Sequence, residues 1–226
     1  MSRTAILAPP VADAGGGVIP YERRLDMNRR WALSEGGKHF EGRSEVETSL
    51  HRIADRLNAL GVPYALVGGM ALFQHGFRRF TEDVDLLVTQ DGLNRIHENL
   101  RGRGYLPPFE KSKNLRDTQT GVRIEFLVTG RYPGKGEEIP ISFPDPAEVG
   151  VDLDGLRCVR LETLVELKLA SGKDHPPRFK DLVDVQSVIK ALDLPRGFSE
   201  KLHPYVRSEF LKWWDAAQTE TSEEEL

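Results

Sequence analysis

The sequence predicts an α/β (α+β) fold, with a small mixed β-sheet carrying acidic residues, helices flanking it, and a helical C-terminal segment. Three observations predict it. Apolar runs of strand length at Tyr64–Val67, Leu86–Val88 and Val122–Val128 are set off by glycine or polar breaks. Stretches with apolar residues at helical spacing stand between and around those runs. Beyond residue 160 two helical periods follow one another.

Residues 1–43 are rich in Gly, Pro and Arg, lack a lasting period, and are expected to form an extended arm. Within it, Ala5-Ile6-Leu7-Ala8 is cut off by Pro9-Pro10, too short a run for a signal-peptide core. Ser44 and Glu47 make a capping box that opens a helix to about Leu60, with Leu50, Ile53, Ala54 and Leu57 on one face. Gly61-Val62-Pro63 ends that helix before the first strand, Tyr64–Val67.

The most informative stretch begins there. Gly68-Gly69 leads from the strand into a short helical piece, Met70 to His75, broken at Gly76. Asp83-Val84-Asp85 then runs into Leu86-Leu87-Val88, and strand alternation puts both aspartates on one face. Adjacent carboxylates repel and need a cation or partner to satisfy them. Hard oxygen ligands of this kind suit Mg²⁺, which takes one or two carboxylates together with substrate phosphates. Glycines at a strand-to-helix turn let the backbone approach a ligand, and the N–H groups of a helix start attract phosphate. Arg78, Arg79 and Thr81 crowd the approach to the aspartates, where arginine can grip phosphate with two parallel hydrogen bonds. His75 has no second His or Cys at zinc spacing and reads as a packing or capping residue.

Asp91 can cap the next helix, whose apolar positions include Leu93, Ile96 and Leu100 and which closes at Gly102 or Gly104. Residues 107–121 read as a loop or irregular hairpin. The run Val122–Val128 carries Glu125, an acid that is costly inside an apolar strand unless it faces a site or pairs with Arg123 or a nearby lysine. The stretch 131–154, with four scattered prolines, is long for a compact domain and reads as a substrate-facing loop.

A glycine pair, thirteen spacer residues and an Asp-apolar-Asp strand resemble the signature of the nucleotidyltransferase superfamily that includes DNA polymerase beta. The wording HGFRRFTEDVDLLV is most similar to its bacterial AbiEii-type and minimal nucleotidyltransferase branch. The resemblance covers roughly residues 48–192. It implies that Asp83 and Asp85 hold Mg²⁺ (or Mn²⁺), that Gly68 and Gly69 cradle phosphate, and that Glu125 is the third carboxylate. The superfamily more often has Asp at that place. A second ion, shared with Glu125, is part of the same expectation.

In the C-terminal third, Leu161–Ser171 forms one helix with Lys168 beside its apolar stripe, and another starts near Phe179. Lys168 followed by Arg178, Lys180, Asp181 and Asp184 resembles a pattern of the AbiEii-like branch. The resemblance implies that Lys168 reaches the triphosphate and that Asp181 orients the basic groups or joins the site. On the residues alone, Lys168 equally well snorkels at a helix edge, and Asp184 is expected on a solvated face. Phe210, Leu211, Trp213 and Trp214 suggest a last helix docked on the body.

Composition bounds the rest. The chain has 226 residues and a net charge of −4, and four glutamates of the tail carry that excess, so the body balances. Neutrality is no signature of strong nucleic-acid binding. The single Cys158 excludes an intramolecular disulfide and fits a reducing cytoplasm. No apolar run approaches bilayer length, so no membrane partner is expected. The expected organisation is an arm (1–43), a catalytic core (44–160), a helical segment (161–216) and an acidic disordered tail (217–226). The expected function is transfer of a nucleoside monophosphate from an NTP to a hydroxyl of RNA, protein or a small molecule. Site residues are Asp83, Asp85 and Glu125 for metal and catalysis, and Gly68, Gly69, Arg79, Thr81 and Lys168 for the nucleotide. The rival readings are a non-catalytic nucleotide-binding module and the toxin of a toxin–antitoxin pair with an antitoxin protein as partner.

Overall fold

The computed structural model describes residues 7–173 and 175–224. Its centre is a mixed seven-stranded sheet among the described residues, in the order β3-β4-β5-β2-β1-β7-β6. The strands are β1 (Tyr64–Val67), β2 (Asp83–Val88), β3 (Tyr105–Leu106), β4 (Leu115–Asp117), β5 (Arg123–Val128), β6 (Gly150–Leu153) and β7 (Leu156–Val159). β1 and β2 are antiparallel, whereas β2 runs parallel to β5 and pairs with it along its whole length. Parallel neighbours need a crossover; after α1 (Tyr21–Met27), α2 (Arg29–Phe40), α3 (Glu45–Leu60) and α4 (Gly68–Gln74), the helix α5 (Gln90–Leu100) supplies it.

The sheet's apolar positions explain its place. Val84, Leu86 and Val88 alternate with Asp83 and Asp85, and register sets them beside Ile124, Phe126 and Val128 of β5. All but Val128, at 6 %, have no exposed surface. The long helix α3 (Glu45–Leu60) packs on β2, and α5 packs on β5. Ser44 caps α3, its hydroxyl accepting from Glu47 N at 3.2 Å, while the Glu47 carboxylate turns to His51 and not back onto the cap. Gly61 closes α3 in the left-handed region (φ 60°), as a glycine after a helix commonly does.

Three local expectations are corrected. Residues 20–43, expected as an extended arm, hold α1 (Tyr21–Met27) and α2 (Arg29–Phe40). Tyr21, Leu25 and Trp31 bury them in the core, and distant polar partners tie them down. Arg24, 1 % exposed, pairs with Glu45, donates to Thr120 O at 2.6 Å and lies 4.6 Å from the Trp31 ring centroid. The cap of α5 is Thr89, whose hydroxyl accepts from Gly92 N at 3.0 Å, and Asp91 sits in the first turn. Within 131–154 the chain forms the short helix α6 (Pro146–Val149) and strand β6, stabilised by pairing of β6 with β7.

The C-terminal third is helical: α7 (Leu161–Gly172), α8 (Phe179–Ala191) and α9 (Pro204–Glu224). Phe210 of α9 is fully buried, and Trp214 Nε1 donates to Leu194 O at 2.8 Å, so the aromatic end docks on the body. Part of the segment expected as a disordered acidic tail, up to residue 224, continues α9; residues 225–226 and the Ala5-Ile6 start of the apolar N-terminal run lie outside the described residues. No described helix is long and apolar enough to cross a membrane.

Candidate active site

Between the sheet and the helices α7 and α8 lies a cavity of about 460 Å³, and Gly68, Gly69, Arg79, Thr81, Asp83, Asp85, Glu125 and Lys168 all line it. The residues singled out in the sequence thus meet in one place. Tyr132, Pro133 and Phe143 from the long 131–145 connection close one side.

The glycine pair is explained by contact. Gly68 has φ 64°, and a Cβ built on it would lie 1.8 Å from Asp85 Oδ2. Only glycine lets the start of α4 (Gly68–Gln74) run against that carboxylate. A Cβ on Gly69 would lie 2.9 Å from Thr81 Oγ1 and 3.2 Å from Arg79 Nη2, so the turn and the loop before β2 are packed together. At the other end of α4, His75 Nε2 meets Val159 O at 2.8 Å, a packing contact.

On the strand wall, register places Asp83 beside Arg123 and Asp85 beside Glu125, all four on the cleft face. Thr81 Oγ1 donates to Asp83 Oδ1 at 2.7 Å. Arg123 Nη2 is 3.3 Å from Asp83 Oδ2 and 2.8 Å from Glu125 Oε1. Burial, then the charges of Asp83 and Glu125, push the Asp85 carboxyl up to about 8; Lys168 and Arg178 only partly offset this. Burial opposes the charge on Arg123, but Glu125 and Asp83 outweigh it and strengthen its hold on the proton. Glu125 therefore meets both sequence readings, facing the site and pairing with Arg123.

On the helical wall, Lys168 is buried at 7 % exposure and does not snorkel. Its Nζ lies 3.0 Å from Asp181 Oδ1 and 2.7 Å from Asp184 Oδ2. Asp184, expected on a solvated face, is 5 % exposed; it also holds Arg79, with Nη2 donating at 3.1 Å. The correction follows from α8 packing on α7, which turns the i, i+3 pair of aspartates inward onto the lysine. Arg178 Nε donates to Asp181 Oδ2 at 2.9 Å and also lies 3.1 Å from Ser171 Oγ. Burial works against ionising Asp181, yet Lys168 and Arg178 hold its carboxyl below the usual range.

The sequence reading missed Arg123 as a site residue, although its two-residue spacing from Glu125 already placed both on one strand face. It likewise missed Asp184. Whether the strand wall suits a divalent cation can be tested on its donors. Two aspartates offer hard oxygens, the glycine turn packs directly against Asp85, and one arginine pairs with Asp83 and Glu125. No three His, Cys, Asp or Glu among the described residues gather into a ready-made cage. This suits an ion that takes one or two carboxylates and completes its shell with water and phosphate, so the residues fit Mg²⁺.

A family model described as "Nucleotidyl transferase AbiEii toxin, Type IV TA system" matches residues 52–213. No curated protein matches the chain. Among solved structures, ANT(2″)-Ia in complex with adenylyl-2″-tobramycin is similar at 15% identity and a TM-score of 0.49, over 72% of this chain and 95% of that one. A candidate nucleotidyltransferase from Thermotoga maritima is similar at 19% identity and a TM-score of 0.44, over 56% of this chain and 84% of that one. An antigenic nucleotidyltransferase-like protein from Paracoccidioides brasiliensis is similar at 18% identity and a TM-score of 0.41, over 64% of this chain and 75% of that one. With the family model spanning most of the chain, the protein belongs to the AbiEii nucleotidyl transferase family.

Proposed function

We propose that the protein transfers a nucleoside monophosphate from an NTP to a hydroxyl acceptor in a Mg²⁺-dependent reaction that releases pyrophosphate. The observation that carries the reading is the packing of Asp85 against the Gly68 turn, which puts a carboxylate ion site and a backbone phosphate cradle side by side. Asp83 and Asp85 hold Mg²⁺ or Mn²⁺, which supplies charge stabilisation at the triphosphate. The N–H groups of Gly68 and Gly69 point at the outer phosphates. Thr81 fixes the Asp83 carboxylate through its hydroxyl, and Arg79 and Lys168 add positive charge at the cavity wall.

Glu125 takes the proton of the acceptor hydroxyl. The acceptor oxygen then bonds to the α-phosphorus, the bond from that phosphorus to the bridging oxygen breaks, and pyrophosphate leaves. The acceptor is an RNA end, a protein or a small molecule. The family description favours a further point, that the chain is the toxin of a pair whose antitoxin is a protein.

The test is incubation with each α-labelled NTP, Mg²⁺ and total cell RNA or protein. Label transfer with stoichiometric pyrophosphate, lost on chelation, is expected. Absence of transfer with all four nucleotides and both acceptor pools favours the non-catalytic nucleotide-binding module.

A further inference from the structure

The four residues on the cleft face of β2 and β5 form a square, Asp83 and Asp85 on one strand and Arg123 and Glu125 on the other. Three corners are acidic. The fourth is a guanidinium whose Nη2 reaches one oxygen of Asp83 at 3.3 Å and one of Glu125 at 2.8 Å. A Mg²⁺ ion joining those two carboxylates would need their oxygens at about 2.1 Å and would occupy the same space. A positive charge at that point also repels a divalent ion.

We infer that Arg123 stands in the place of a second metal ion, so that the site holds a single divalent cation, on Asp83 and Asp85. This deepens the proposed function and rests on its metal assignment. Arg123 is a positioning residue: it anchors Glu125 through Oε1 and neutralises Asp83 on its outer side. Glu125 then acts on the acceptor's proton and ligates no metal. The strand ladder sets which residues are neighbours across β2 and β5, and within that register Arg123 reaches both Asp83 and Glu125.

The test counts ions. The full chain is titrated with Mn²⁺ in the presence of an equimolar mixture of the four α,β-methylene nucleoside triphosphates, and bound Mn²⁺ is followed by electron paramagnetic resonance. Wild type is expected to bind one ion per chain with no Mn–Mn coupling. Arg123→Gln is expected to bind two, with the coupled spectrum of ions about 4 Å apart. Arg123→Lys, which keeps the charge, is expected to stay at one. Two coupled ions in wild type, or a single ion in folded Arg123→Gln, overturn the inference. No nucleotide-dependent ion in wild type overturns the metal reading beneath it, a different result from two. The wild-type count decides the first point even where a variant does not fold.

Discussion

On the helical wall of the cleft, Lys168, Asp181 and Asp184 are 7 %, 7 % and 5 % exposed, and each meets an opposite charge within 3.0 Å. On the strand wall, Asp83, Asp85 and Glu125 are half-buried and line the cavity, and one arginine pairs with Asp83 and Glu125. Taking a charge out of water is repaid only by good partners. The helical wall is repaid from within the chain, so its charges fix the packing of α7 on α8 and the reach of Arg79 and Arg178. On the strand wall, burial first and then the charges of Asp83 and Glu125 push the Asp85 carboxyl up to about 8. Charge is balanced from within the chain on the helical wall and left in acidic excess on the strand wall.

The comparison breaks most visibly at the aspartates. Asp83→Asn or Asp85→Asn should reduce nucleotidyl transfer on the order of a thousandfold, since metal charge stabilisation is worth several kcal/mol. Stability should move the other way. The folded Asp85 carboxyl is raised above its ordinary 3.8, so its proton stabilises the native state below that value, and this contribution is lost as pH rises through about 8. Asp85→Asn removes that loss, and the metal-free variant should melt higher than wild type at pH 8 with a smaller difference at pH 5. Thermal scans in chelator at the two pH values measure it, and equal melting at both would place Asp85 outside the charge cluster.

Glu125→Gln keeps the shape and hydrogen bonding of the corner but removes its basicity, and should cost about a hundredfold in single-turnover rate. Glu125→Asp should retain appreciable activity. A glutamine variant as fast as wild type would make Glu125 only a partner for Arg123.

Lys168→Ala tests the frame. It leaves two buried aspartates short of their shared cation, and breaking a buried pair costs about 3–5 kcal/mol, so a large fall in denaturation midpoint is expected. If the ammonium also acts on the triphosphate, NTP affinity should fall by about one to two decades, with NMP affinity falling less. Calorimetry on the folded variant separates the two, and equal weakening for NTP and NMP assigns Lys168 to the frame alone.

The smallest effect is expected at the N-terminal helices. His39 is fully buried, and its Nε2 donates to Arg79 O at 3.0 Å, tying α2 to the loop that carries Arg79 and Thr81. His39→Ala should cost about 1–3 kcal/mol of stability by leaving that carbonyl unpaired. On the proposed function it should also raise KM for the NTP more than it lowers kcat, because the loop would bring Arg79 and Thr81 to the nucleotide. A kcat loss at unchanged KM would contradict that link.

Local chemistry determined much of this protein. Alternation put Asp83 and Asp85 on one face, the αL-prone Gly61 ended α3, and the glycine pair announced a turn that backbone must enter closely. These signals lie within a few residues of one another, where periodicity and turn preference act. Alternation also put Arg123 on the face of Glu125, but only the tertiary structure set that pair against Asp83 and Asp85, because it depends on the register of β2 against β5, strands forty residues apart. Tertiary structure alone turned Asp184 from a surface residue into a partner of Lys168 and Arg79, through the packing of α8 on α7. It also made helices of residues 21–40, whose stabilising contacts, such as Arg24 to Glu45 and to Thr120 O, join places that no local pattern connects.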